Sequence, residues 1–148
     1  MKTIRLILAS VLAVLALSSC EKNLEELRFS GNPTAPVLNQ AGDINITADN
    51  VKTGTFTLTW KAADFGLPTE IVYTVIGKSG SKSATLFENI RGTSHEVKFD
   101  ELKTKLMSSL GVKVGESATV TFSLTATVGS GYKILTSNEV SVKASIQE

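Results

Sequence analysis

Residues that could carry acid–base or nucleophilic chemistry are scarce in this chain of 148 residues, which has one histidine, His95, and one cysteine, Cys20. A structural zinc site needs about four ligands drawn mainly from these two residue types, so we expect no metal site. A nucleophilic centre would have to use His95 as its base. Its neighbour Glu96 points to the opposite face of a strand, and we therefore interpret His95 as a surface residue.

Acidic residues offer a second route to chemistry, because two carboxyl groups that face each other across a cleft can cleave a glycosidic bond. Asp64 and Glu70 flank a predicted turn, whereas Asp100 and Glu101 are adjacent in the sequence. Asp100 is better explained as the N-cap of a helix, where a side-chain oxygen accepts a free backbone N–H. The chain has no glycine-rich phosphate loop and no serine elbow. We expect a protein that is not an enzyme and that holds no cofactor.

Aromatic side chains are the remaining candidates for a binding site, because sugar rings bind by stacking on flat apolar faces. Alternation with polar neighbours predicts five of the nine aromatic residues in the core: Phe56, Trp60, Tyr73, Phe99 and Phe122. The other four are expected to be exposed: Phe29, Phe65, Phe87 and Tyr132. Phe65 and Tyr132 lie in or near loops, where β-sandwich proteins often carry their binding residues. These two residues are therefore the candidates for weak glycan contact. Four rings that are scattered along the sequence do not form a flat binding surface for a sugar. We therefore favour the interpretation that these residues have packing roles.

The N-terminus has the layout of a secretory signal, with a cationic segment over residues 1–5 and an uncharged apolar run over residues 6–17. The run is about twelve residues, whereas a membrane-spanning helix needs roughly twenty. Leu17-Ser18-Ser19-Cys20 resembles the lipobox of bacterial lipoproteins, in which the cysteine becomes the first mature residue and carries acyl chains. The alternative is a short uncleaved anchor with an incidental cysteine. We predict a signal peptide over residues 1–19, because Cys20 stands where cleavage should fall.

Residues 20–33 are predicted to be the lipidated cysteine followed by a polar tether. Glu21, Glu25 and Glu26 are similar to the acidic surface-export signal of Bacteroidota-type lipoproteins. A solvated linker explains the same residues equally well. The whole chain has 15 basic and 14 acidic side chains, a balance that argues against a protein built to bind nucleic acid.

From residue 34 to residue 148 the dominant pattern has a period of two, which is typical of half-buried strands. Apolar residues alternate with polar ones over 55–60, 117–128 and 140–144. The run 71–76 is almost continuously apolar, and we expect it to be a central strand covered on both faces. Weaker strand patterns occur at 37–38, 44–47, 85–87 and 95–99. With turn signals between them, about seven short strands predict one all-β sandwich domain over 34–148.

One segment departs from the strand pattern. Leu102, Leu106 and Leu110 are four residues apart, which is the spacing of one helix face. Asp100 can cap the start of this helix, and Gly111 can supply a left-handed exit. A helix of about ten residues is too short to stand alone, so we expect its leucines to close one end of the sandwich, before the penultimate strand.

In this order the elements resemble an immunoglobulin-like or fibronectin type III sandwich, and more narrowly the N-terminal domain of SusE-type outer-membrane lipoproteins. The resemblance covers nearly the whole chain and rests on short motifs in a fixed order. They are Leu17-Ser18-Ser19-Cys20, Ala35-Pro36-Val37-Leu38, the run from Phe56 to Gly66, Tyr73-Thr74-Val75, the segment from Glu101 to Gly111, and Ser137-Asn138-Glu139-Val140. The most specific piece is Trp60-Lys61-Ala62-Ala63-Asp64-Phe65-Gly66.

The resemblance implies a surface lipoprotein of the outer membrane in a starch- or glycan-utilisation (Sus-like) system of Bacteroidota. Its implied partners are the outer membrane through lipidated Cys20, a TonB-dependent transporter with a glycan-binding lipoprotein, and a starch-like oligosaccharide. Such proteins usually continue into carbohydrate-binding domains, whereas this sequence stops at Glu148. We therefore expect a non-catalytic spacer or docking module with at most weak glycan binding. The alternative is a general adhesion or protein-interaction module unrelated to glycans.

Overall fold

The computed structural model describes residues 31–130 and 132–148, which form two β-sheets and one helix. The strands are β1 (Val37–Leu38), β2 (Ile44–Ile46), β3 (Thr55–Lys61), β4 (Val72–Ser79), β5 (Lys82–Ile90), β6 (Ser94–Lys98), β7 (Ser117–Thr127), β8 (Leu135–Thr136) and β9 (Val140–Ile146). The helix, α1, spans Phe99–Leu110. The predicted all-β sandwich with one short helix is confirmed.

The smaller sheet has the strand order β1-β3-β6, and the larger has the order β2-β9-β7-β4-β5 with β8 also paired to β7. Strands β2 and β9 are parallel, and the other pairs are antiparallel. Strands β8 and β9 follow one another along the same edge of β7 and act as one interrupted strand. Counted that way, α1 precedes the penultimate strand, as the sequence predicts.

Alternation along β3 and β7 places their apolar side chains between the two sheets. Phe56, Leu58 and Trp60 of β3 are buried, and the threonines between them are exposed. Strand β7 repeats the pattern with buried Val120, Phe122, Leu124 and Ala126. The rings of Phe56 and Phe122 lie 5.6 Å apart between centroids, so β3 and β7 meet in the core. Threonine suits the outer positions because its branched side chain favours the pleated strand conformation.

The expectation that β4 is covered on both faces is wrong. Tyr73 and Val75 are buried, whereas Val72, Thr74 and Ile76 on the opposite face are partly exposed. Strands β7 and β5 flank β4 on its two sides. Their neighbouring side chains shield the outer face of β4 without burying it, which allows apolar residues there.

Helix α1 closes the sandwich with the leucine face that its spacing predicts. Leu102, Leu106 and Leu110 are buried, and α1 contacts β3 and β6 of the smaller sheet as well as β4 and β5 of the larger one. Burial of one leucine stripe between two sheets supplies the packing that an isolated helix of this length lacks.

The ends of α1 agree only in part with the sequence. Asp100 is not the N-cap, because the helix already begins at Phe99, and the Asp100 carboxylate instead accepts the N–H of Glu101 at 2.7 Å within the first turn. Phe99, expected in the core as the end of a strand, is half-buried as the first residue of α1. The left-handed exit is confirmed at Gly111, whose φ is 71°.

Candidate functional site

The corner between β3 and β4 is built by the most specific motif of the sequence. Trp60, near the end of β3, packs against Tyr73 of β4 with ring centroids 5.3 Å apart. The Tyr73 hydroxyl accepts the backbone N–H of Ala63 at 3.0 Å. All three residues are buried, and Trp60 Nε1 has no hydrogen-bond acceptor among the described residues. These aromatic side chains therefore hold the corner together and do not face solvent.

Asp64 stabilises the turn that follows in the same corner. Its carboxylate accepts the N–H of Gly66 at 2.7 Å, and Gly66 has a φ of 77°, a conformation that favours glycine. The backbone of Asp64 also exchanges two hydrogen bonds with Thr34, of 2.8 and 3.0 Å. Asp64 thus joins the first described residues of the chain to the corner.

Phe65 and Tyr132, the two candidates for glycan contact, contact each other. Their rings meet edge to face, with centroids 5.9 Å apart and planes at 63°. Phe65 is 1% exposed, so the expectation that it is exposed is wrong. Its ring fills the space between the corner and the chain that follows β7. Tyr132 is half-buried against the core, so the pair packs as a small apolar cluster and presents no continuous flat face.

A second aromatic group lies where α1 crosses β5 and β6. The ring centroids of Phe87 and His95 are 4.7 Å apart, and Lys105 Nζ of α1 lies 5.9 Å from the Phe87 centroid. Phe87 is therefore buried under α1, contrary to the expectation that it is exposed. His95 is half-buried, which corrects its interpretation as a surface residue.

The imidazole of His95 is poorly placed for acid–base chemistry. Its Nε2 is buried and has no hydrogen-bond partner in the described part of the chain. Burial lowers the pKa of His95 below its ordinary value, and the carboxylate of Glu101 on α1 raises it in part. The packing thus favours a neutral imidazole wedged between a strand and a helix.

Three of the four carboxylates considered for glycoside cleavage are engaged in local contacts. Asp64 accepts the Gly66 N–H, and Asp100 accepts an N–H within the first turn of α1. Arg91 Nε donates to Glu70 Oε1 at 2.7 Å, with both side chains more than half exposed. Each of these three carboxylates therefore has a structural partner where the structure places it.

A shallow depression of about 360 Å³ lies between the β3–β4 corner and the turn after β5. Its polar lining includes Thr69, Glu70, Arg91 and Thr93, and its aromatic lining is the buried Tyr73. The pairing of Arg91 with Glu70 could not be predicted from the sequence, because it depends on the antiparallel β4–β5 hairpin. The depression is broadly open to solvent, unlike the concave, mostly apolar pockets that bury small ligands.

Several expectations concern residues outside the described ranges, among them the signal peptide, Cys20 and Phe29. Within residues 31–130 and 132–148, no group of three or more His, Cys, Asp or Glu side chains is placed to hold a metal ion. The same ranges contain no helix with the length and hydropathy needed to cross a membrane.

Comparison with known proteins identifies the family. The sequence profile of the family described as SusE outer membrane protein matches residues 23–125. The matched range starts in the predicted tether, includes β1–β6 and α1, and ends within β7. None of the curated proteins compared with the chain matches it. Because the profile matches well over half of the sequence, the chain belongs to the SusE outer membrane protein family.

Proposed function

We propose that this outer-membrane protein is anchored at the cell surface by acylated Cys20 and serves a Sus-like system as a non-catalytic spacer or docking module. Membership of the SusE family supports the outer-membrane location and the link to a Sus system. The proposal divides the chain into a signal peptide over residues 1–19, a tether over residues 20–33 and the sandwich over residues 34–148.

The placement of the aromatic residues carries this proposal. Each aromatic side chain of the described residues is buried or half-buried: Phe56, Trp60, Phe65, Tyr73, Phe87, Phe99, Phe122 and Tyr132. Sugar recognition by stacking needs a flat ring that solvent can reach, and these rings instead pack against the core. This arrangement supports at most weak binding of a starch-like oligosaccharide, with the half-buried Tyr132 as the remaining candidate contact.

The polar groups support a non-catalytic role in the same way. Glycoside cleavage needs one carboxyl group beside the leaving oxygen and a second beside water or the sugar ring. Asp64 is used to form a turn, and Glu70 is paired with Arg91 on the surface. The His95 ring is packed against Phe87, and burial lowers the pKa of its imidazole, which favours the neutral form.

A spacer must keep its shape, and the core of this sandwich is suited to that task. The buried apolar residues form one cluster that includes both sheets and the leucines of α1. The partner surfaces are then the polar outer faces and loops, which would meet a TonB-dependent transporter or a glycan-binding lipoprotein of the same system. A rigid domain with such surfaces can position the other components of an assembly without binding glycan itself.

The anchor is tested by replacing Cys20 with Ser in the full-length protein expressed in a bacterium that makes lipoproteins. We expect Cys20→Ser to lose palmitate labelling and to leave the outer-membrane fraction, because an oxygen at this position cannot receive the lipid through a thioether. Ser19→Ala is the matched control, since it keeps a small residue before the cysteine and should retain both properties. A Cys20→Ser protein that still labels with palmitate and sediments with outer membranes contradicts the proposal.

Surface exposure needs a separate readout. Intact cells that produce the native protein are treated with a protease too large to enter the periplasm, and loss of the protein is followed by immunoblot. We expect degradation in intact cells. Protection in intact cells, followed by degradation after the outer membrane is opened, would place the domain on the periplasmic side.

A further inference from the structure

The two ends of the sandwich differ in how the chain reaches them. At one end, called here the tether end, Thr34 pairs with Asp64, and the β3–β4 corner and the turn after β5 lie beside this pair. At the opposite end, called here the helix end, α1 starts beside Gly54, and the backbone of Ile146 accepts the N–H of Gly115. The N-terminal segment therefore joins the domain at the tether end.

Chain lengths limit where a lipid on Cys20 would hold each end. The eleven residues from Glu21 to Gly31 span at most roughly 40 Å even when fully extended. Strand β7 has 11 residues and runs most of the length of the larger sheet, which makes it roughly 35 Å long. The tether end therefore cannot lie farther from the membrane than this reach, whereas the helix end can lie up to a full strand length beyond it.

Exposed apolar side chains are concentrated toward the tether end. The large apolar residues with high exposure among the described residues are Ile134 at 62%, Val37 at 48% and Met107 at 39%. Val37 pairs with Lys61, close to the corner, whereas Met107 lies on α1. Ile134 belongs to the loop that Phe65 reaches through its contact with Tyr132. The most exposed of the three thus lies beside the point where the tether joins.

The residue next to Ile134 adds a positive charge. Lys133 is exposed, and none of the ion pairs among the described residues includes it. An aliphatic side chain beside a free lysine is the combination that interfacial segments present to lipid headgroups, with the apolar part in the acyl boundary and the ammonium group near phosphate. A lone exposed isoleucine would need no explanation on a free protein, but its position beside a membrane tether changes what it can do.

We propose that the tether end rests on the lipid bilayer, with Ile134 inserted at the headgroup boundary and Lys133 beside anionic phosphates. This inference rests on the proposed acylation of Cys20. A short tether makes the contact intramolecular, with an effective concentration on the order of millimolar, so a contact too weak to recruit a free protein can orient an anchored one. The depression near Arg91 then faces the membrane, and the helix end faces away from it.

The test uses the native lipidated protein, in which acylation of Cys20 leaves no free thiol. Ser130→Cys at the tether end and Lys113→Cys beyond α1 replace exposed residues and leave Lys133 and Ile134 unchanged. Each variant is labelled with an environment-sensitive fluorophore and reconstituted into vesicles of phosphatidylethanolamine and phosphatidylglycerol that carry brominated lipid as quencher. We expect strong quenching and a blue shift at position 130, and neither at position 113.

A second comparison isolates the contact. Adding Ile134→Ser and Lys133→Glu to Ser130→Cys should abolish most of the quenching at position 130, whereas Met107→Ser, which removes an exposed apolar residue on α1, should leave it unchanged. Equal quenching at positions 130 and 113, or quenching that survives the double substitution, overturns the inference.

Flotation of the vesicles separates this inference from the proposed anchor. Protein that floats with vesicles but shows no preferential quenching at position 130 keeps the anchor and overturns the orientation. Native protein that fails to float overturns both.

Discussion

Asn138 uses its side chain to hydrogen-bond both backbone groups of Leu38, accepting the N–H at 2.8 Å and donating to the carbonyl oxygen at 3.0 Å. Leu38 belongs to β1 in the smaller sheet, and Asn138 lies between β8 and β9 in the larger one. The carboxamide therefore takes the place of a neighbouring strand and joins the two sheets. Ser137 supports the break in the strand, because its hydroxyl accepts the N–H of Leu124 at 2.9 Å.

Replacement of Asn138 tests this link between the sheets. Asn138→Ala removes two hydrogen bonds and leaves a partly buried peptide without partners, so we expect the free energy of unfolding to fall by about 1–3 kcal/mol. The measurement is urea denaturation followed by circular dichroism. Asn39→Ala is the matched control, since Asn39 donates one exposed side-chain bond to Thr59 and should change stability by less than about 0.5 kcal/mol. Equal losses in the two variants would contradict the role of Asn138.

Trp60 is the second test of the fold. Trp60→Ala removes a large buried ring that packs on Tyr73 and should cost about 3–5 kcal/mol. A domain of this size has roughly 5–15 kcal/mol in total, so the variant should be marginal or unfolded in thermal denaturation. Trp60 is the sole tryptophan, and its emission in the folded protein should be blue-shifted. Emission like that of free tryptophan would contradict both its burial and the packing of the corner.

Replacement of Gly54 tests how closely the start of α1 packs against the turn before β3. A Cβ at Gly54 would overlap the Phe99 ring and lie 2.9 Å from the carbonyl oxygen of Asn50. We expect Gly54→Ala to lower the melting temperature and the free energy of unfolding, by about 1–3 kcal/mol, as overpacking does. Gly42→Ala is the control, because a Cβ at Gly42 meets no atom within 4 Å. Similar stability of the two variants would show that α1 starts farther from Gly54 than described.

The burial of His95 predicts a dependence of stability on pH. Because burial lowers the pKa of His95 in the folded state, the unfolded chain takes up a proton at a higher pH than the folded one. The contribution of His95 to stability is therefore complete above its ordinary pKa of about 6.5 and is lost as the pH falls from there through the folded pKa. We expect His95→Gln to flatten the stability curve below about pH 6.5. An unchanged slope in this range would contradict the packing of His95 between Phe87 and α1.

Local patterns predicted most of the strands and the buried faces of β3, β7 and β9, because both depend on near neighbours in the sequence. The period of two places Phe56 and Phe122 in the core, where the structure has them in contact. The leucine spacing of α1 and the exit at Gly111 are also local features and are confirmed. Strand β8 was not expected, because only its pairing with Thr125 and Ala126 of β7 identifies it as a strand.

The candidate binding residues were predicted less well because their surroundings come from distant parts of the chain. Phe65 is adjacent to a turn and would be exposed in a simple sandwich, but Tyr132 covers it from the loop after β7. Phe87 is covered in the same way by α1. The two hydrogen bonds of Asn138 with Leu38 likewise join residues that are far apart in the sequence. The motif Ser137-Asn138-Glu139-Val140 therefore indicated the family but did not show the structural role of Asn138.

The central claim is that this sandwich acts as a spacer or docking module and does not bind glycan with appreciable affinity. Isothermal titration of soluble Glu21–Glu148 against a panel of maltooligosaccharides tests this claim most directly. Because the aromatic side chains of the described residues pack into or against the core, we predict no measurable heat of binding at millimolar sugar. Micromolar binding that is lost in Tyr132→Ala, while circular dichroism shows the variant to remain folded, would contradict the account and make the domain a glycan receptor.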